Sequence, residues 1–233
     1  MERIGILTSG GDTPGMNAAI RALVKAGIHA GYTVMGIYHG YKGLVNGLVH
    51  QLQPVDVAGI MDKGGTIIRT ARSMEFLTPE GKDKAVDIIQ GYGLKGLVVI
   101  GGDGTYRGAK VLADRGVNVI GLPGTIDNDM GYTDFTIGFD TAVNNVMTEI
   151  YKIRDTMSAH DRIGVIELMG RKCGDIALWA GVAGAADLII VPECAMSWDD
   201  AVAYLAKNRQ MGKLTSIVMI AEGAGSAADL VAY

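Results

Sequence analysis

The stretch GLVVIGGDGTYRGAKVLADR, residues 96–115, runs from an apolar segment through a glycine-rich turn into a segment of helical pattern. Its continuous apolar run, residues 96–100, predicts a strand buried on both faces of a parallel sheet. A helix is predicted at 106–115. Residues 3–30 repeat the same order of strand, turn and helix, with SGGDTPG at the turn. Ligands of such sheets bind at the carboxyl ends of the strands, so the two turns are the first places to look for a site.

The rest of the chain continues this alternation of strands and helices. Further strands are predicted at 33–38, 118–122, 163–168, 187–191 and 216–221, and helices at 79–90, 139–157 and between the later strands. The fold class predicted is α/β, with two doubly wound, mainly parallel-sheet α/β(/α) sandwich domains. We place their boundary near Gly138, giving domains at 1–138 and 139–233.

Composition excludes several classes of protein. With 48% hydrophobic and 20% charged residues among 233, the chain can bury a core and is too apolar for intrinsic disorder. A net charge of −4 argues against a nucleic-acid partner. No apolar stretch reaches the ~20 residues that span a bilayer, and we expect no signal peptide. Cys173 and Cys194 lack metal-site spacing and are expected to be buried, free thiols of a cytoplasmic protein.

Three of the turns are suited to phosphate chemistry. The glycine-rich turns at 9–15 and 101–105 each open onto a predicted helix, whose first N–H groups and dipole favour a phosphate. Asp103 among glycines suits a Mg²⁺ that lies between carboxylate and phosphate. The third turn, at 123–129, follows the strand predicted at 118–122. There Asp127 could accept a proton from a hydroxyl and Asp129 could support a metal. Each turn alone could be an ordinary Asp- and Gly-rich turn.

Other strand ends add polar residues to the same edges. Met169-Gly170-Arg171 follows one predicted strand and Glu222-Gly223 follows another. Arg72, beyond a Gly-Gly-Thr turn at 64–66, could bridge phosphates in a bidentate way. Neither the P-loop motif nor G-x-G-x-x-G after a strand occurs, which excludes a P-loop protein and disfavours a dinucleotide dehydrogenase. So many polar strand ends together favour a functional site.

Together these motifs resemble those of the bacterial-type ATP-dependent 6-phosphofructokinases, and the resemblance runs from Met1 to about Ser226. The matching stretches are TSGGDTPGMNAAIR at 8–21, GGTIIRTAR at 64–72, VVIGGDGTYRGA at 98–109, GLPGTIDND at 121–129, TDFTIGFDTA at 133–142, KIRDT at 152–156, MGRKCGDIALWAG at 169–181 and AEGAGS at 221–226. GGDGT alone is shared with NAD kinases and diacylglycerol kinases, whereas TIDND and MGR are specific. The resemblance implies transfer of the γ-phosphoryl group of MgATP to the 1-hydroxyl of fructose 6-phosphate, a step of glycolysis.

The resemblance also implies a role for each matching residue. Asp127 would be the base for the sugar hydroxyl. Thr125 and Arg171 would steady the transferred group, and Arg72 would bridge the β- and γ-phosphates. Asp103 would hold Mg²⁺ with the help of Asp129. The other nucleotide contacts in the first domain would be Gly11, Tyr41, Ser73, Gly102, Gly104 and Thr105. The other sugar-phosphate contacts would be Ile126, Met169, Gly170, Glu222 and, from a neighbouring subunit, Arg162.

Two glycines bear on the phosphoryl donor. In pyrophosphate-using relatives, position 104 tends to be Asp and position 124 Lys. We expect Gly104 and Gly124 to leave room for a nucleotide, which favours ATP. A pyrophosphate-dependent phosphofructokinase remains an alternative, as does a non-catalytic nucleotide-binding or assembly subunit.

Regulation and length are less well matched. The resemblance implies ADP or phosphoenolpyruvate bound between subunits of a homotetramer. The candidate effector residues are Arg21, Lys25, Arg154, Ala185, Asp187 and Lys213. Because Lys25, Asp187, Met211 and Pro54 stand where the family favours other residues, we expect weakened or altered regulation. Family members continue beyond position 233, so the second domain is expected to be incomplete, unless this is a true short form.

Overall fold

Strands and helices alternate along most of the chain in the computed structural model, which describes residues 1–233. The first elements are β1 (Arg3–Thr8), α1 (Met16–His29), β2 (Thr33–Ile37), α2 (Gly40–Val45), β3 (Val49–Gln51), a 3-10 turn (Glu75–Leu77), α3 (Pro79–Gly91), β4 (Leu94–Gly101), α4 (Asp103–Ala113), β5 (Val119–Thr125) and β6 (Ile137–Gly138). They are followed by α5 (Phe139–Ala159), β7 (Ile163–Leu168), α6 (Asp175–Ala183), β8 (Leu188–Ile190), α7 (Trp198–Gln210), β9 (Ser216–Ala221) and α8 (Ala227–Ala232). No helix has both the length and the hydropathy needed to cross a bilayer.

The chain divides into two compact units. The first unit comprises residues 1–125 and 132–138, and the second comprises residues 126–131 and 139–233. Residues 126–131, which a single boundary near Gly138 assigns to the first domain, therefore group with the second unit.

The sheet of the first unit has its strands in the order β3-β2-β1-β4-β5-β6. All neighbours are parallel except β2 and β3, which are antiparallel. From β1 the chain builds outward to β2 on one side, and it then returns to lay β4 and β5 on the other. The direction of winding thus reverses between β1 and β4, and the turns that follow these two strands flank the point where such sheets bind ligands. The α/β fold class is confirmed.

Strand β1 shows why this sheet is covered on both faces. Ile6 and Leu7 are fully buried, although successive strand residues point to opposite faces. Ile6 packs in a cluster with Met16 and Ile20 of α1. Leu7 belongs to the cluster of the other face, with Leu44 of α2. The continuous apolar pattern of the strands is explained by these two cores.

The second unit contains a parallel three-stranded sheet in the order β7-β9-β8. All six residues of the central strand β9 are buried. Met219 of β9 packs in a cluster with Ile150 of α5. Val218 and Ile220 belong to a second cluster, which includes Leu205 of α7. Helices therefore cover both faces here too.

The structure differs from the local predictions at several points. The helix predicted at 106–115 begins three residues earlier, as α4 at Asp103. Strand β5 continues past the predicted end at 122 to Thr125, with Pro123 in register with Gly101. Proline usually ends a strand because it lacks an N–H donor, but β5 is fully flanked only by β4, since β6 reaches just its last two residues. Helix α2 and strand β3 were not predicted, because six and three residues are too few to show a period. Cys194 is exposed and Cys173 half-buried, so the expectation of buried thiols is wrong for Cys194.

Ala185 offers a test of the backbone between α6 and β8. It has φ 48°, a left-handed conformation that costs a residue with a Cβ about 1–2 kcal/mol. We expect Ala185→Gly to raise the free energy of unfolding by about 1 kcal/mol, measured by urea denaturation. Ala183→Gly, at the last residue of α6, is the matched control and should lower it, by at most about 0.5–1 kcal/mol. Equal effects of the two substitutions would contradict the explanation.

Candidate active site

The two glycine-rich turns of the first unit are joined by hydrogen bonds. Ser9 N donates to Ile100 O at 3.0 Å, and Thr105 Oγ1 donates to Ser9 O at 2.9 Å. A Cβ on Gly101 would lie 2.3 Å from Ser9 O, so only glycine allows this approach. The turn after β1 and the turn after β4 are thereby held side by side at the predicted ligand-binding edge.

Some glycines at this edge face open space, and others are closely packed. A Cβ on Gly11 or Gly104 would have no neighbour within 4 Å. At Gly124, in contrast, a Cβ would lie 2.9 Å from Ile100 Cγ2. A side chain at position 104 would therefore enter open space, whereas the missing side chain of Gly124 lets β5 pack against β4.

Tyr41 supports the second turn from the core side. Its side chain is buried and stacks on Phe76 with 4.3 Å between the ring centroids. The Tyr41 hydroxyl donates to Thr105 O at 2.6 Å, and Gly108 gives the ring space, since a Cβ there would lie 2.5 Å from Tyr41 Cζ. Burial raises the pKa of Tyr41 far above its ordinary value, so the phenol remains a neutral donor.

The arginine-bearing segment is attached to the first turn by threonines. Thr8 Oγ1 donates to Arg69 O at 3.0 Å, and Thr70 Oγ1 donates to Gly10 O at 2.8 Å. The next residues are Arg72, which is exposed, and Ser73, whose Oγ accepts from Phe76 N at 3.1 Å. These contacts carry Arg72 to the edge of the sheet where the glycine-rich turns lie.

Asp103 is the carboxylate of the turn after β4. It is the first residue of α4, its side chain is 52% exposed, and Arg107 Nη2 lies 2.6 Å from its Oδ2. The structure contains no group of three or more His, Cys, Asp or Glu side chains that could hold a metal ion. Mg²⁺ commonly binds through one or two carboxylates while substrate phosphates and water supply the other ligands. The accessible Asp103 carboxylate fits that pattern.

In the second unit, the loop after β5 holds the candidate base. Ile126 packs against the apolar cluster of this unit, and Asp127 is only 8% exposed. Asn128 has φ 54°, and Asp129 is exposed. Arg171 Nε lies 3.9 Å from Asp127 Oδ2, with 70% of the arginine side chain exposed. A buried carboxylate thus faces a guanidinium that remains accessible to a phosphate.

The turn that carries Arg171 is held by a second carboxylate. Glu222 Oε1 accepts from Gly170 N at 3.0 Å and from Arg171 N at 2.7 Å. Glu222 N in turn donates to Leu168 O, because β7 and β9 are paired up to this point. Arg171 has φ 56°, a conformation that the surrounding structure must hold. Glu222 therefore fixes the backbone of the arginine turn.

Two carboxylates near these loops were missed at the sequence level. Asp175 Oδ2 accepts from Asn128 Nδ2 at 2.7 Å, and Glu193 Oε1 accepts from Gly174 N at 2.8 Å. A signal for Asp175 was present, since it lies inside the matching stretch MGRKCGDIALWAG. Nothing in the pattern around Glu193 points to its partner.

The remaining candidate residues fall into separate groups. Thr125 ends β5 beside Gly102, whose Cβ would lie 3.5 Å from Thr125 Cβ. Met169 and Arg162 are exposed residues that flank β7. In the first unit, Arg21 donates to Val57 O at 2.8 Å, and Lys25 is exposed one turn later on α1.

The effector candidates of the second unit lie together. Arg154, Ala185, Asp187 and Lys213 all line one cavity of about 230 Å³. Arg154 donates to the carbonyl oxygens of Gly184 and Ala185, and Lys213 forms an ion pair with Asp187. Pro54 and Met211, two of the departures from the family pattern, are exposed.

Comparison with known proteins identifies the family of this chain. The sequence profile of the family described as Phosphofructokinase matches residues 3–232. The ATP-dependent 6-phosphofructokinase of Clostridium tetani is 55% identical over 230 residues, which cover 99% of this chain and 72% of the relative. The Clostridium botulinum enzyme of the same name is 52% identical over 233 residues, covering 100% of this chain and 73% of the relative.

Solved structures share the fold. Phosphofructokinase from Saccharomyces cerevisiae superposes with a TM-score of 0.93 at 37% identity, over 100% of this chain and 36% of that one. A pyrophosphate-dependent phosphofructokinase from Marinobacter aquaeolei gives a TM-score of 0.85 at 19% identity, over 100% of this chain and 64% of that one.

Proposed function

The chain belongs to the phosphofructokinase family, and on that premise we propose that it is an ATP-dependent 6-phosphofructokinase. It transfers the γ-phosphoryl group of ATP to the 1-hydroxyl of fructose 6-phosphate, giving fructose 1,6-bisphosphate and ADP. The observation that carries the proposal is the buried Asp127 carboxylate facing the exposed Arg171 guanidinium. A non-catalytic nucleotide-binding or assembly subunit would not require this pair together with Asp103.

Asp127 acts as the general base. Its carboxylate accepts the proton of the sugar 1-hydroxyl as the oxygen attacks the phosphorus atom. Arg171 neutralises negative charge on the transferred group, a role suited to a guanidinium that is largely exposed at the end of a fixed turn. Thr125 donates a hydroxyl to the same group. The remaining contacts to the sugar phosphate come from Ile126, Met169, Gly170, Glu222 and Arg162, the last from a neighbouring subunit.

The first unit binds the nucleotide. Backbone N–H groups of the two glycine-rich turns, at Gly11 and at residues 102–105, hold the phosphates at the start of α4. Arg72 bridges the β- and γ-phosphates, and Ser73 follows it. Tyr41 supports this turn from the core side, because its hydroxyl donates a hydrogen bond to Thr105 O. Asp103, assisted by Asp129, would hold Mg²⁺, which when bound neutralises charge on the phosphates.

ATP rather than pyrophosphate is the donor. The relatives with 52–55% identity carry ATP in their names, whereas the likeness to a pyrophosphate-dependent enzyme at 19% identity shows the fold alone. The space around Gly104 supports this choice, since a side chain there would extend into the region that the nucleotide needs.

Regulation is proposed for the cavity of the second unit. ADP or phosphoenolpyruvate would place its phosphate near Arg154 and Lys213, and it would compete with Asp187 for the lysine ammonium. Arg21, Lys25 and Ala185 complete the proposed set, in a homotetramer that works in the cytoplasm. Because Met211 and Pro54 supply no charge, the response to effectors is weaker than in relatives with basic residues at these positions.

The base is tested by Asp127→Asn. We expect kcat to fall by about 10²–10⁴, because the amide cannot accept the proton, while KM for fructose 6-phosphate stays within about threefold. The measurement is steady-state ADP formation from ATP and fructose 6-phosphate with Mg²⁺. Asp114→Asn, which removes an exposed carboxylate paired with Lys110, should retain activity within about twofold. Parent-like turnover by the Asp127 variant would remove this residue from the role.

The arginine is tested by Arg171→Ala. Because its partner charge develops in the transition state, we expect kcat to fall by about 10²–10³ and the affinity for the sugar phosphate to change much less. Lys172→Ala, at the adjacent exposed position, is the control. A variant with raised KM and unchanged kcat would show that Arg171 only binds substrate.

Donor choice is tested at position 104. The parent chain should turn over with ATP and not with pyrophosphate. Gly104→Asp should lower kcat/KM for ATP by about 10² or more, because the new carboxylate repels the phosphates. Gly91→Asp, at an equally open glycine of α3, should change it less than twofold. If the parent prefers pyrophosphate, the interpretation of Gly104 is wrong.

A further inference from the structure

One side-chain hydrogen bond joins the loop that carries the candidate base to the helix that follows the candidate arginine. Asn128 Nδ2 donates to Asp175 Oδ2 at 2.7 Å, although the two residues are 47 positions apart. Asn128 directly follows Asp127, and Asp175 begins α6 four residues after Arg171. We propose that Asp175, acting through Asn128, is a positioning residue that fixes the Asp127 carboxylate relative to the Arg171 guanidinium. This inference rests on the proposed function of those two residues.

The base and the arginine need such a link because they hold each other only loosely. The distance from Arg171 Nε to Asp127 Oδ2 is 3.9 Å, and most of the arginine side chain is in solvent. An ion pair with this separation and a largely exposed cation is too weak to set the relative position of two loops. In addition, Arg171 has a left-handed backbone conformation, which persists only where neighbouring contacts hold it.

Asp175 is well placed to act as the fixed point. Directly before it, Gly174 N donates to Glu193 Oε1 at 2.8 Å, and a Cβ on Gly174 would lie 2.5 Å from Val191 Cβ. Cys173 N donates to Gly170 O at 2.9 Å and closes the turn that carries Arg171. The start of α6 is therefore packed against the segment after β8 and continuous with the arginine turn. A bond from Asp175 to Asn128 extends this rigid region to the base loop.

A different role for Asp175 would follow from its place on the helix alone. A carboxylate in the first turn of a helix interacts favourably with the helix dipole. That role depends on the negative charge, so Asp175→Asn and Asp175→Ala would be equally harmful. The positioning role depends on an acceptor oxygen, which Asn retains and Ala lacks. The two substitutions therefore separate the explanations.

The test compares Asp175→Ala, Asp175→Asn, Asn128→Gly and the double variant Asp175→Ala/Asn128→Gly in the full chain. Glycine at 128 removes the amide and still accepts the left-handed conformation. We expect the Ala and Gly variants each to lose about 10–100-fold in kcat, with KM for fructose 6-phosphate within threefold. Asp175→Asn should stay within threefold of the parent, and the double variant should lose no more than the worse single variant.

Amide hydrogen exchange at residues 126–129 gives a readout that needs no sugar. Exchange should be at least about tenfold faster in Asp175→Ala and Asn128→Gly than in the parent, and unchanged in Asp175→Asn. Asn144→Ala is the matched control, since Asn144 Nδ2 bonds Asp140 Oδ2 at 3.3 Å on the surface of α5. It should alter neither activity nor exchange at 126–129. Asn128→Gly keeps the test decisive if Asp175→Ala does not fold.

The possible results distinguish a failure of the positioning role of Asp175 from a failure of the proposed kinase activity. Additive losses in the double variant, an Asp175→Asn variant as impaired as Asp175→Ala, or unchanged exchange at 126–129 would each overturn the positioning role. If the parent chain fails to phosphorylate fructose 6-phosphate, the proposed function fails, and the exchange data still decide whether Asp175 holds the base loop.

Discussion

Parallel pairing of the strands is the constraint on which the rest of the structure depends. When strands run in one direction, their carboxyl ends meet along one edge, so turns far apart in sequence become neighbours. Ser9 and Ile100 are 91 residues apart and share a backbone hydrogen bond for this reason. Parallel pairing also requires helical crossovers, which cover both faces and make the strands apolar throughout. The chemistry is thereby restricted to the turns.

The second constraint is the close approach of backbones at those turns. Ser9 O lies 2.3 Å from the position that a Cβ on Gly101 would occupy, and Arg171 O lies 2.3 Å from the corresponding position at Gly223. Beside the second of these contacts, the Glu222 carboxylate accepts the backbone N–H groups of Gly170 and Arg171 rather than pairing with a cation. Each such hydrogen bond to a carboxylate is worth roughly 1.5–3 kcal/mol, and the arginine side chain stays largely exposed.

The fold was predictable from the sequence because its signals are local. The buried strand at 96–100 and the helix that follows it need only apolar runs and periodicity, and both were found. Residue types at strand ends were enough to name Asp127, Arg171 and Glu222 as candidates for the site. The bond between Asn128 and Asp175 was not, because nothing local records a partner 47 residues away. The packing of Gly124 against Ile100 was likewise missed, since it depends on the register of β4 and β5.

The route of the chain between its two units has a consequence for how this protein can be divided. Residues 126–131 leave the end of β5, join the second unit, and are followed by residues 132–138 of the first. A single cut at 138/139 would leave Asp127 on one polypeptide and Arg171 on the other. Two such fragments could bring Asp127 and Arg171 together only if residues 126–131 of the first fragment folded into the second unit, which the other fragment supplies. In recombination between homologous genes, a crossover at that point would likewise take Asp127 from one parent and Arg171 and Asp175 from the other.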